Sequence, residues 1–278
     1  MNQSKNQDQS NSEKNFYKTY GGSAPENYEK YFVPVIGGPL AKELIKIASI
    51  QPGERVLDVA CGTGIAARLA TEFTGETGRV AAVDINPGML AIARTLSAEK
   101  SIEWYESNAE NLPLPDDSFD VVLCQLGLQF FQDRLAALKE MRRVLVPGGR
   151  LLVRTVGPTP ELFAIFDQAL ARHISPELSA FVQKVFSLHD SNEIQSLLTA
   201  AGFREISVRS ETKTLRLPSP EEFLWQYVHS TPLAEPLAQA DDAKRAALQD
   251  EVVAKWNEFV ENGNLILNVP DVLATARK

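Results

Sequence analysis

Beyond the turn Gln51-Pro52-Gly53-Glu54, the apolar and polar positions settle into a rhythm. Apolar runs of strand length occur at Arg55–Ala60, Arg79–Asp84, Ile102–Glu106, Phe119–Cys124 and Arg150–Thr155. Between them lie stretches with helical spacing, around Ile65–Thr74, Gly88–Leu96 and Asp133–Val144. Strands alternating with helices predict parallel βαβ units, and so an α/β fold with a doubly wound sheet. In such a sheet, ligands bind beyond the carboxyl ends of the strands, where the strand order reverses.

The flanks are less regular. Residues 1–15 form a polar Asn/Gln/Ser tract too poor in apolar side chains to offset its ordering entropy, and read as a disordered tail. Aromatic residues recur from Phe16 to Pro39, which predicts short helical pieces folding over something, and Leu40–Ile50 reads as an amphipathic helix. Past Thr155 the pattern predicts one helical region over Glu161–Phe186. A helix over Asp190–Ala201 follows, capped by Ser191 and stopped at Gly202. Strand-like alternation returns at Glu205–Leu217, helical spacing occupies 219–262, and Leu265–Ala276 supplies a last strand. The domain plan is thus a main domain of 16–218 and 263–278, with 16–50 as an N-terminal lid, and 219–262 as an inserted helical cap.

Composition narrows the partners. The chain has 278 residues, 44% of them hydrophobic, enough for one large core with a modest cap. A formal net charge of -8 argues against nucleic acid, whose affinity comes from clustered Lys and Arg. Cys61 and Cys124 lie in apolar runs without CxxC spacing, so no zinc knuckle, other metal site or disulfide framework is indicated. With neither a signal-peptide pattern nor an apolar run of about 18 residues, the chain reads as cytoplasmic without a membrane span.

The chemistry begins where the first strand runs into glycine: Val56-Leu57-Asp58-Val59-Ala60-Cys61-Gly62-Thr63-Gly64. Gly62 and Gly64 remove Cβ atoms where a ligand must approach backbone, and the helix that follows offers unpaired N–H groups. About twenty residues on, the second strand ends in Asp84, placed to accept hydrogen bonds from ribose hydroxyls. These residues alone also satisfy a dinucleotide fingerprint, Gly62-Thr63-Gly64-Ile65-Ala66-Ala67, and leave a nicotinamide-dependent reductase open.

The ordered set of segments over residues 50–155 resembles the class I, Rossmann-like S-adenosylmethionine-dependent methyltransferases, and is similar to their ubiquinone/menaquinone-biosynthesis branch. The resemblance rests on Asp58-x-x-x-Gly62-x-Gly64 and on Asp84 followed by Pro87, Met89, Leu90 and Ala93. Asn108-Ala109-Glu110-Asn111-Leu112-Pro113, Asp117-Ser118-Phe119-Asp120 and Arg142-Arg143-Val144-Leu145-x-Pro147-Gly148-Gly149 extend it. It implies a seven-stranded, mostly parallel sheet of order 3-2-1-4-5-7-6 with the last strand antiparallel. It also implies S-adenosyl-L-methionine as cofactor, with S-adenosyl-L-homocysteine as product. Asp58, Ala60, Gly62 and Gly64 fall to the methionine end of the cofactor, Asp84 to the ribose and Asn108 with Ala109 to the adenine edge. Ile85, Met89 and Gln125 complete the cofactor set. Where the family commonly has Asp, Asn108 can accept only as a neutral group.

Methyl transfer from a sulfonium asks chiefly for an aligned nucleophile about 3–3.5 Å from the carbon in a dry pocket. A base helps a hydroxyl or acidic carbon, and His173, His189 and His229 are the candidates. Tyr20, Tyr28, Gln129, Phe130 and Trp225 are the candidate acceptor contacts, since an aromatic insertion suits a small apolar or aromatic molecule. Against these stand ordinary packing and, for the insertion, a homodimer interface. A cofactor-binding module without turnover is the further alternative. After the fourth strand, Cys124-Gln125-Leu126-Gly127 lacks the Pro-Pro-aromatic signature of nucleic-acid amino methyltransferases.

Overall fold

Along Arg55–Val59 (β1), Leu57 and Val59 point to one side of the sheet and Val56 and Asp58 to the other, and all four are buried because helices cover both faces. A computed structural model describes residues 22–278 of the chain. The strands that follow are Arg79–Asp84 (β2), Ile102–Glu106 (β3), Phe119–Gln125 (β4) and Leu145–Val156 (β5), then Arg204–Leu217 (β6), Val260–Glu261 (β7) and Asn264–Arg277 (β8). They form one sheet of order β3-β2-β1-β4-β5-β8-β6 with β7 paired to β8. β1 to β5 are mutually parallel, and β8 runs antiparallel to both β5 and β6.

The expected path is therefore present with eight strands in place of seven. The additional one exists because Asn262 and Gly263 both take left-handed φ, of 49° and 81°, and turn Val260–Glu261 tightly back onto β8.

One face packs Val56, Val80, Val121 and Leu152 against Gly38–Ala48 (α2) and Ile65–Thr74 (α3). The opposite face packs Leu57, Val122 and Val153 against Arg134–Val144 (α5) and Ser191–Ala200 (α8). Pro87–Leu96 (α4) follows β2, started by Asn86, whose side chain accepts the Met89 N–H. At α8 the cap is Asp190, not Ser191: the Asp190 carboxylate accepts the Asn192 N–H at 2.7 Å. The helix does stop at Gly202, with φ of 88°. The single helical region expected over Glu161–Phe186 is two helices, Glu161–His173 (α6) and Pro176–Val185 (α7). Pro176 cannot continue a helix, and Ser175 caps the new one.

The insertion contains Pro220–His229 (α9), Ala234–Gln239 (α10) and Asp242–Trp256 (α11). Its aromatics mostly build a third core with α6: Trp256 is fully buried, donates to the Leu162 carbonyl at 2.8 Å and lies beside Phe166 and Phe223. The first half of β8 joins that core through Leu265, Leu267 and Val269. Before the sheet begins, Ala24–Asn27 (α1) leads into a π-helical stretch, Tyr28–Gly37, that contains Pro34. Residues 1–15 and Tyr20 lie outside the described residues. Among those described, no helix is long and apolar enough to cross a membrane.

Candidate active site

Every parallel strand ends at the same cavity. Ala60 after β1, Asp84 at the end of β2, Ser107 after β3, Leu126 after β4 and Val156 at the end of β5 all line a space of about 520 Å³. This is the carboxyl edge, at the reversal between β1 and β4.

The turn after β1 is built from left-handed residues: Ala60 at φ 57°, Gly62 at 55° and Gly64 at 81°. The two glycines do different work. A Cβ at Gly62 would meet only Tyr28, at 3.9 Å, so the turn lies open beneath that ring. A Cβ at Gly64 would collide with the Trp104 indole, so Gly64 lets the helix start close on the sheet. Asp58 is likewise internal: it is 1% exposed, and its Oδ2 accepts the Ala67 N–H at 3.0 Å, fastening α3 to β1. Asp84 Oδ2 accepts from Gly62 N at 2.8 Å and Oδ1 from Asn86 N at 2.9 Å.

Neither Asp58 nor Asp84 makes an ion pair with a described residue. Burial pushes the Asp58 carboxyl up to about 7, the Ala67 N–H working against it and the Asp84 charge adding to it. Burial also raises Asp84, against its three backbone donors. Tyr28 is held above its ordinary value by enclosure and by the charges of Asp84, Glu29 and Asp58.

Beyond β3, Asn108 is folded into its own turn, its Oδ1 accepting from Glu110 N at 3.1 Å and its Nδ2 reaching Glu110 Oε2. Glu110 Oε1 accepts from the N–H groups of both Gln132 and Asp133 at 2.9 Å. This carboxylate clamps the loop after β3 to the loop before α5. It stands in the Asn-Ala-Glu run singled out from the sequence, but the clamp links residues more than twenty apart and could not be read there.

The N-terminal segment closes the cavity. Arg68 joins it to the glycine turn, donating to Thr63 O and to Glu29, each at 2.7 Å. Tyr28 stacks on Phe32 at 4.7 Å, and Tyr28, Phe32, Ile36 and Leu40 all reach the lining. Across from them Ser230, Thr231 and Pro232 of the insertion complete the rim, with Ser230 Oγ donating to Asn27 O at 3.0 Å.

Of the residues singled out from the sequence, Ala60, Gly62, Asp84, Ile85, Met89, Asn108, Ala109, Tyr28, Gln129 and Phe130 line the cavity. Asp58 and Gly64 stand behind the wall for the reasons above. Gln125 also does not line it: the β4 pleat turns its amide to the N-terminal segment, where Nε2 donates to Gly37 O at 3.0 Å. Trp225 faces away, its indole donating to Gln249 at 2.7 Å, because Phe223 and Tyr227 occupy the inner side of α9. No histidine reaches the lining. His173 is tied to Glu251 at 2.6 Å, His189 to the Phe186 carbonyl at 2.8 Å, and exposed His229 lies beside Trp225. The sequence missed the inner chamber, formed by Val156, Phe163, Phe181, Phe186, Leu267 and Val269 from four separate elements.

A glycine turn wired to the acid of the next strand, opening on a largely apolar chamber, defines a nucleoside-binding enzyme of the Rossmann-like kind. Residues 57–153 match the family described as "Methyltransferase domain". Over 187 residues the chain is 32% identical to the ubiquinone/menaquinone biosynthesis C-methyltransferase of Shewanella frigidimarina, covering 62% of this chain and 74% of that protein. To the demethylmenaquinone methyltransferase of Staphylococcus epidermidis it is 33% identical over 184 residues, 62% and 76% of the two chains. In fold it resembles the YcgJ protein of Bacillus subtilis, with a TM-score of 0.57 at 21% identity over 86% of this chain and 97% of that one. A phosphoethanolamine N-methyltransferase of Haemonchus contortus gives 0.55 at 22% identity, over 86% and 52%. The chain belongs to the class I S-adenosylmethionine-dependent methyltransferases, in the branch of the ubiquinone/menaquinone-biosynthesis enzymes, and its cofactor is S-adenosylmethionine.

The site fits that cofactor. Gly62 leaves open a cradle that a side chain would narrow, and the two oxygens of Asp84 keep acceptor capacity beyond its three backbone donors. Asp84 lines the cavity and makes no ion pair with a described residue, so its carboxylate suits a cationic ligand.

Proposed function

We propose that this methyltransferase acts on an oxygen or carbon of a small apolar or aromatic molecule. The observation that carries this reading is the inner chamber, where Phe32, Ile36, Val156, Phe163, Phe186 and Leu267 contribute apolar surface and no charged side chain. A chamber of this kind rewards burial of an apolar body at about 25 cal/mol per Å² and penalises an unpaired charge. The C-methyltransferase named among the relatives supports carbon as the atom, and the demethylmenaquinone methyltransferase supports a quinol-like acceptor.

In this reading Ala60 and Gly62 hold the methionine end of the cofactor, Asp84 accepts from the ribose hydroxyls, and the loop of Asn108 and Ala109 meets the adenine. Ile85 and Met89 pack on the nucleoside. Asp58 and Gly64 shape the turn without touching the ligand. When bound, S-adenosylmethionine supplies an electrophilic methyl group on sulfur. The chain's own contribution is to orient the acceptor and to exclude water with the N-terminal segment and the 230–232 rim. With His173, His189 and His229 outside the cavity, the acceptor reacts as its own enolate or phenolate, its proton having passed to solvent before the methyl group is transferred.

The test is incubation of the full chain with methyl-labelled cofactor and a metabolite extract, followed by mass detection. Label in an apolar or aromatic small molecule is expected. Label confined to protein or nucleic acid overturns the reading.

A further inference from the structure

Six described non-glycine residues have left-handed φ, and two of them, Ala60 and Leu126, line the cavity. Leu126, at φ 56°, is the unexpected one. Asn, Asp or Ser can recover part of the cost of that conformation through a local hydrogen bond, whereas leucine cannot. Its backbone is nevertheless fixed at both ends. The N–H donates to Arg154 O at 2.8 Å, and the carbonyl accepts the Gln129 amide at 3.1 Å. The following residue is Gly127, where a Cβ would lie 2.6 Å from that of Ala60, so the loop after β4 is pressed against the cofactor turn. The Leu126 side chain meanwhile packs on the cluster that contains Leu40, Val156, Phe163 and Tyr227. One strained residue thus stands at the boundary between the cofactor turn and the apolar chamber, held there by contacts that over-determine it.

We infer that Leu126 is a size-determining residue for the acceptor, its side chain setting how large an apolar body fits beside the glycine turn. This rests on the proposed reading of the chamber as the acceptor site. Leu126 takes no part in bond making; it limits what can be brought up to the transferred group.

The experiment is calorimetric titration of p-cresol, 2-naphthol and 4-phenylphenol into the full chain saturated with S-adenosylhomocysteine. Wild type is compared with Leu126→Ala and Leu126→Phe. Shortening the side chain should raise the affinity ratio of 4-phenylphenol to p-cresol by roughly tenfold or more, and Leu126→Phe should lower it by a similar factor. Affinity for S-adenosylhomocysteine should stay within about twofold. Leu126→Gly, which removes the left-handed penalty, should reproduce the Leu126→Ala shift and serves if that variant folds poorly. Phe186→Ala, elsewhere in the chamber, separates the two readings. If it changes probe affinity while the Leu126 variants leave the ratio unchanged, the size-determining role is overturned and the acceptor site stands. If no variant alters any probe, or wild type binds none of the three, the acceptor reading falls and this inference with it.

Discussion

The carboxylate of Asp84, at the end of β2, accepts the N–H of Gly62 at 2.8 Å, binding the second strand's acid to the first strand's glycine turn. Two features 22 positions apart in the chain thereby act as one unit, and a disturbance at either reaches the cavity that both line.

Replacing Asp84 by Ala should weaken S-adenosylmethionine binding by about 1.5–3 kcal/mol, the range for a hydrogen bond to a charged group. Asp84→Asn, which keeps one acceptor oxygen, should fall between. Unchanged calorimetric affinity in Asp84→Ala would remove the ribose assignment.

Gly62 and Gly64 should separate binding from folding. Gly64→Ala places a methyl group into the Trp104 ring at φ 81°, and should cost about 2–4 kcal/mol in denaturant unfolding. For Gly62→Ala the expectation is reversed: the added methyl meets nothing closer than Tyr28 at 3.9 Å, so destabilisation is milder, while cofactor affinity falls about tenfold because the methyl enters the cradle. Equal effects of the two variants on both quantities would contradict this division.

The raised Asp58 carboxyl predicts a pH dependence of the ligand-free chain. A folded-state value of about 7, above that of the unfolded chain, means the folded protein binds more protons across the interval between them. Stability should therefore be highest near pH 4 as far as this group is concerned, and decline as pH rises towards 7, by an amount on the order of 4 kcal/mol. Asp58→Asn, which can still accept from Ala67, should flatten that slope. An unaltered pH profile of urea midpoints in Asp58→Asn would refute it.

Arg154 is fully buried, with Nε 3.1 Å from Asp271 Oδ1 at an angle short of a hydrogen bond. Its other nitrogens serve Glu43 at 3.1 Å and the Leu40 carbonyl. Arg154→Ala should cost about 3–5 kcal/mol by leaving Asp271 unpaired inside the sheet. Adding Asp271→Asn should recover part of that loss, as a double-mutant cycle would measure. Additive losses would show the two side chains to be energetically independent.

The strands and helices of residues 55–155 were legible because each is short, strongly periodic and closed by a clear turn signal, as at Gly62-Thr63-Gly64. The helical region read over Glu161–Phe186 is helical, but apolar spacing carries across Ser175-Pro176 and so did not show the break that the local chemistry makes there. Assigning Trp225 to the acceptor failed for a different reason. An aromatic in an insertion can turn either way, and here Phe223 and Tyr227 took the inner side. Gln125 is at the expected strand end, yet strand pleat and a waiting carbonyl at Gly37 decided where its amide went.

The sequence by itself determined the alternating fold, the glycine turn after the first strand and the acid that ends the second, because these depend on backbone requirements local to a few consecutive residues. The tertiary structure alone decided the apolar chamber and its rim. Those walls come from the N-terminal segment, the end of β5, α6, α7, the insertion and β8, and no local pattern records which side chains meet when distant segments pack together.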